Sequence, residues 1–203
     1  MSKNEIDAAE LAERHAAIAA AFTKKVAAVT DWDVPSPVAE WTARDVVRHL
    51  VDWSRSMLGQ AEGITFGEIP SVDEDPLACW QRHTEQMQLL LEHPEIERVA
   101  LPSGPFSKTT FQEAVDQYYV PDVFMHTWDL AKATGQEPGL DQAQCFAMYR
   151  GMKGDEQRLR ASGQFGQQQP VAEDASSEEK LMAFIGRDPY WAPPVDGQDA
   201  TGR

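Results

Sequence analysis

An all-α bundle is the fold class this sequence predicts. Three observations carry the prediction: long stretches repeat apolar residues at helical spacing, clusters of proline and glycine separate them, and no stretch of weight alternates as a half-buried strand would. In the first stretch Leu11, Ile18, Phe22, Val26 and Val29 share one stripe of a helix expected from about residue 7 to 29. Pro35 and Pro37 push the residues before them out of the helical region and end it. Thr42 as N-cap and Asp45 at N3 open a second helix that turns Val46, Val47, Leu50, Trp53 and Met57 inward. Gly63, Gly67 and Pro70 mark a loop, and Asp75-Pro76 starts a third helix with Leu77, Trp80, Met87 and Leu90 as its buried stripe.

Pro94 limits that helix. Residues 95–108 hold Pro102, Gly104 and Pro105 and suit an extended crossover, with room for a short strand around Val99-Ala100-Leu101. The fourth helical stretch is expected from about residue 110 to 134, stopped by Gly135 in a left-handed conformation. A fifth spans about 141–161, and a short sixth opens with Ser176 and Glu179 at capping-box spacing. Residues 1–191 read as one bundle domain, and 192–203, rich in Pro, Gly and Asp, as a mobile tail.

Composition narrows the function. At 203 residues the chain needs neither disulfide nor metal to hold a core, so a metal would serve chemistry. A net charge of −15 repels phosphate backbones and anionic membrane surfaces, which argues against nucleic-acid and membrane partners. Cys79 and Cys145 form neither a disulfide framework nor a CxxC pair. The polar N-terminal residues lack a signal-peptide core and no apolar run reaches about 20 residues, so a cytoplasmic location is expected.

The chemistry gathers on the fourth helical stretch. Phe111, Val115, Tyr118, Asp122, His126, Asp129 and Ala133 advance by three or four residues and fall on one face. Two carboxylates and an imidazole on a face that begins apolar invite a compensating cation, whether a metal, an Arg or a Lys. Asp122 and His126, four apart, are spaced to grip one ion. His49 lies on the apolar face of the second helix, three residues after Val46. A lone histidine there is most often a hydrogen-bonded core residue, but the Asp122/His126 pair makes it a candidate third ligand. Two histidines and a carboxylate make a site with open positions, as in a catalytic centre.

The other candidates stay open on the sequence. His15 and His83 both lie on inward stripes, but neither has a second donor on its own helix at chelating spacing. His93, at a helix end, reads as a C-terminal charge partner. Asp129 can bind the ion, orient a ligand histidine from behind, or pair with Lys132 or a cation outside the stripe. The tryptophans Trp41, Trp53, Trp80 and Trp128 read as capping or core residues. There is no GxSxG elbow, no phosphate-binding GxxxxGK[ST] loop and no GxGxxG turn, and neither cysteine sits in an activating context.

Three segments carry a resemblance: Trp-Thr-Ala-Arg-Asp-Val-Val-Arg-His-Leu-Val (41–51), Asp-Val-Phe-Met-His-Thr-Trp-Asp-Leu-Ala-Lys-Ala-Thr-Gly (122–135) and Gly-Arg-Asp-Pro-Tyr-Trp (186–191). Together they resemble the actinobacterial metal-binding proteins related to the metal-binding domain of mycothiol-dependent maleylpyruvate isomerase, within the DinB/YfiT-like bundles. The resemblance implies a four-helix bundle of up-down-down-up connectivity. It also implies a divalent ion, commonly zinc, held by His49, Asp122 and His126. Asp122 stands where the isomerase has a glutamate and many DinB-like proteins a histidine. The isomerase also carries a C-terminal domain that helps hold its substrate, and this chain is too short for one like it, so maleylpyruvate isomerisation itself does not carry over.

The leading functional expectation is a metal-dependent thiol S-transferase or isomerase, working as a monomer or homodimer. Its metal would lower the pKa of a low-molecular-weight thiol and present the thiolate to a small electrophile. Mycothiol is the thiol implied by the resemblance. The competing expectations are a metal-dependent hydrolase, told apart by whether turnover needs added thiol, and a non-catalytic metal- or ligand-binding module.

Overall fold

A computed structural model describes residues 8–96, 99–102 and 109–194. The described residues are helical, with no sheet, as an all-α DinB-like bundle requires. They form two compact units, one of Met1–Trp32 with Arg44–Thr127 and the other of Asp33–Ala43 with Trp128–Arg203. Positions 195–203 of the expected tail lie outside the described residues.

The first unit contains α1 (Ala8–Ala27), most of α2 (Ala43–Leu58), α3 (Pro76–Leu91), α4 (Phe111–Ala114), a π turn (Val115–Tyr119) and the first part of α5 (Val120–Ala133). α1 packs along α3. Leu11, Phe22 and Val26 are buried as the spacing requires, and Phe22 meets Trp80 edge to face at 4.6 Å. The Trp80 indole N–H donates to Thr23 Oγ1 at 2.8 Å, so the largest core side chain of α3 leaves no polar group unsatisfied. α3 begins as its sequence dictates: Asp75 caps it by accepting from the Ala78 N–H at 2.9 Å, and Pro76 occupies the first turn. Its buried stripe is Pro76, Cys79, Trp80, His83, Met87 and Leu91, one residue past the expected Leu90.

Between α3 and α4 the expected strand reduces to an isolated bridge of Ala100 with Thr110. Leu101 N–H donates to Thr109 O at 3.1 Å and Phe111 N–H to Val99 O at 2.7 Å. Pro102 has no N–H with which to extend the pairing. Positions 103–108 lie outside the described residues.

The fourth stretch is not one regular helix. Thr110 and Glu113 form a capping box at its start, but from Val115 to Tyr119 the chain winds as a π turn, and Val120 N–H donates five residues back to Val115 O. Pro121 supplies the reason. Its ring lacks an N–H and would collide with the carbonyl four residues earlier, and widening the preceding turn relieves both problems. The extra residue shifts the register of the face. Tyr119 is buried with 0% exposure and Tyr118, expected on the stripe, is only half-buried.

The second unit holds the rest of α5, α6 (Gln142–Gly154), α7 (Glu156–Ala161) and α8 (Ser177–Phe184), with α6 packed on α8. α5 ends in a Schellman motif: Gln136 N–H donates to Ala131 O at 2.8 Å and Gly135 takes φ 68°. The helix expected over 141–161 breaks at Asp155, directly after Gly154, a weak helix former. Asp141 caps α6 and the Ser176/Glu179 capping box opens α8, both as expected. Past α8 a second Schellman motif turns the chain at Gly186, φ 96°, whose backbone crosses that of Gly166 so closely that a Cβ at 186 would lie 2.6 Å from Gly166 Cα.

Candidate metal centre

α2 and the start of α5 bring His49, Asp122 and His126 together, the three residues the sequence singles out. One donor atom from each lies within 4.8 Å of the other two, and this is the group of at least three potential metal ligands found among the described residues. His49 Nε2 is 3.2 Å from Asp122 Oδ2, and His126 Nε2 is 3.5 Å from Asp122 Oδ1. The two imidazoles meet edge to face at 4.9 Å. His126, its side chain 6% exposed, forms the inner wall, whereas those of His49 and Asp122 keep 32% and 21%.

The donor set fits a divalent ion of the zinc type. Zinc binds imidazole nitrogen and carboxylate oxygen at about 2.0–2.2 Å, so neighbouring donors on a tetrahedron stand roughly 3.3–3.6 Å apart, and the 3.5 Å between His126 Nε2 and Asp122 Oδ1 matches that spacing. The electrostatics agree. Burial alone would raise the Asp122 carboxyl, but the charge of His126 and the hydrogen bonds and charge around His49 and Trp53 outweigh it and hold the group below the ordinary carboxylate range. Asp122 is therefore an anion at neutral pH, as a ligand must be.

Trp53 belongs to this site, although its place on the apolar face of α2 reads as core packing. Its indole N–H donates to Asp122 Oδ2 at 2.8 Å. The available signal was its position, one helical turn after His49 and hence on the same face of α2.

The remaining candidates go elsewhere. His83, fully buried, shares Nε2 with Tyr119 OH at 3.0 Å and Ser54 Oγ at 3.3 Å, and burial drives its pKa down to about 3, so it stays neutral. His15 faces Gln88, Nδ1 to Oε1 2.6 Å, and its pKa is likewise lowered by burial. Neither joins the three-residue group. His93 is exposed and accepts from the Glu95 N–H through Nδ1 at 3.3 Å. Asp129, with 0% exposure, meets a cation from outside its stripe: Arg187 donates through Nε to Oδ1 at 2.8 Å and through Nη2 to Oδ2 at 3.1 Å. Trp128 is buried and donates to Glu178 Oε1 at 3.1 Å.

Residues 15–131, more than half of the chain, match the family described as the mycothiol maleylpyruvate isomerase N-terminal domain. The chain belongs to this family. The matched span contains His49, Trp53, Asp122 and His126, and membership makes the protein a DinB-like, metal-binding relative of the mycothiol-linked isomerases. An uncharacterized protein of Mycobacterium tuberculosis, from strain CDC 1551 / Oshkosh and from strain ATCC 25618 / H37Rv, is 28% identical over 163 residues. That alignment covers 75% of this chain and 83% of the relative. No solved structure matches the chain. Among the described residues, no helix is long and apolar enough to cross a membrane.

Proposed function

We propose that this member of the mycothiol maleylpyruvate isomerase N-terminal domain family is a metal-dependent thiol S-transferase or isomerase. In this reading His49, Asp122 and His126 hold one divalent ion, zinc by donor type, and a mycothiol-like thiol reacts with a small electrophile. The observation that carries it is the convergence of two imidazoles and one carboxylate within 4.8 Å on a face that stays partly exposed. Three protein donors leave room for a ligand from solution. A divalent ion held there supplies the positive charge that favours a thiolate at neutral pH.

The chain's own residues fit that role. Cys79 and Cys145 are 1% and 0% exposed, and burial raises both thiols, Cys145 to about 12. Neither is a thiolate near neutral pH, so a thiol reaction here takes its sulfur from a cosubstrate. His126 closes the inner side of the site, and the cosubstrate and electrophile approach past His49 and Asp122.

Protein purified without chelator is expected to carry about one divalent ion per chain. His49→Ala and His126→Ala each lose most of it, and His93→Ala keeps it, by elemental analysis. Turnover of a panel of small electrophiles is expected only with added thiol. Full occupancy in the His49→Ala/His126→Ala double variant refutes the ligand set, and turnover undiminished without thiol replaces S-transfer with hydrolysis.

A further inference from the structure

Asp122 offers two oxygens, and the structure treats them differently. Oδ1 faces His126 Nε2 at 3.5 Å. Oδ2 faces His49 Nε2 at 3.2 Å and also accepts the Trp53 indole N–H at 2.8 Å. An indole nitrogen donates and never accepts, so this contact has one polarity in every protonation state of the site. The donor is itself held in place. The Trp53 ring lies 6.2 Å from the His49 ring and 6.2 Å from the ring of Tyr119, which is anchored by its hydroxyl against His83 Nε2 at 3.0 Å. Tyr119 points inward because the π turn before Pro121 advances the register by one residue.

We propose that Trp53 is a positioning residue that reserves Oδ2 of Asp122, leaving Oδ1 as the single carboxylate oxygen offered to the ion. The inference rests on the ligand set proposed above and adds a determinant of metal preference. One carboxylate oxygen with two imidazoles suits a low coordination number, as zinc and cobalt adopt, whereas a carboxylate free to bind through both oxygens favours ions that take more ligands. The π turn, Tyr119, Trp53 and Asp122 thus form one chain of contacts from a backbone irregularity to a ligand oxygen.

The test uses the full chain and Trp53→Phe, which keeps an aromatic ring and removes the donor. Zinc affinity, measured by competition with a chromophoric chelator, is expected to fall about 10- to 100-fold. The d–d absorption of the cobalt-loaded variant should weaken as the released oxygen raises the coordination number. In an Asp122→Ala background Trp53→Phe should cost nothing further, because its effect passes through the carboxylate. Unchanged zinc affinity and cobalt spectrum in Trp53→Phe would overturn the inference, as would an equal loss in the Asp122→Ala background. A second measurement needs no variant. In uniformly 15N-labelled wild-type protein the Trp53 indole N–H, assigned through its contacts with Tyr119, should keep its exchange protection when zinc is added, and loss of protection would overturn the inference. Wild-type zinc binding that survives in His49→Ala/His126→Ala would instead remove the ligand set on which it rests.

Discussion

Replacing Arg187 by methionine is expected to destabilise the second unit more than any surface substitution. Asp129 has 0% exposure and receives two charge-assisted hydrogen bonds from Arg187, whose side chain is itself 17% exposed. Removing one partner of a buried pair costs about 3–5 kcal/mol, because the desolvated charge is left behind. The residual exposure of Arg187 softens its own desolvation and not that of Asp129, so the lower part of that range, about 3 kcal/mol, is the expected loss. For a chain of this size each kcal/mol lowers the midpoint by about 2–4 °C, giving a drop of roughly 6–12 °C in a melt followed by circular dichroism. The companion variant Asp129→Leu/Arg187→Met removes the charge together with its partner and should recover most of the loss. Arg187→Met melting within about 2 °C of wild type, or a double variant as unstable as the sum of its singles, would refute the reasoning.

Two further predictions concern the fold. His83 titrates near 3 in the folded chain because burial opposes its charge, while the unfolded value is near 6.5, so below 6.5 the unfolded state binds a proton that the folded state does not. Its contribution is therefore neutral above pH 6.5 and costs about 1.4 kcal/mol per pH unit as pH falls toward 3, so urea midpoints of His83→Asn should decline less steeply than wild type between pH 6 and 4. Equal slopes would contradict this. Gly186→Ala should cost about 2–5 kcal/mol, combining φ 96° with a Cβ 2.6 Å from Gly166 Cα, whereas Gly135→Ala, at φ 68° with nothing within 4 Å, should cost only about 1–2 kcal/mol; equal melting points for the two would refute the crossing as the cause.

How far the sequence reveals all this depends on the range of the interaction. Caps are local, and Asp75, Asp141 and the Ser176/Glu179 box are legible because each partner lies three residues away. The three residues of the candidate centre are legible because i,i+4 spacing places Asp122 and His126 on one face and the apolar stripe of α2 places His49. Pro121 is the local signal for the π turn, but a stripe counted at constant period has no place for an added residue and puts Tyr118 where Tyr119 lies. The Asp129–Arg187 pair joins residues 58 apart in the chain, and no spacing rule reaches that far. Trp53 was masked by chemistry of a different kind, since an aromatic residue on an apolar helix face reads as packing until its N–H is seen to meet a carboxylate.

In the proposed reaction the His49, Asp122 and His126 centre accepts a thiol from solution. Cobalt-loaded protein titrated with a small thiol tests it most directly, because a thiol must lose its proton to enter the coordination sphere and then gives a sulfur-to-cobalt charge-transfer absorption. That band is expected in wild type and equally in Cys79→Ser/Cys145→Ser, with its loss in His49→Ala/His126→Ala and saturation by mycothiol at a lower concentration than by glutathione. Absence of any thiol-dependent absorption in the cobalt-loaded wild type, at any pH the fold tolerates, would contradict it.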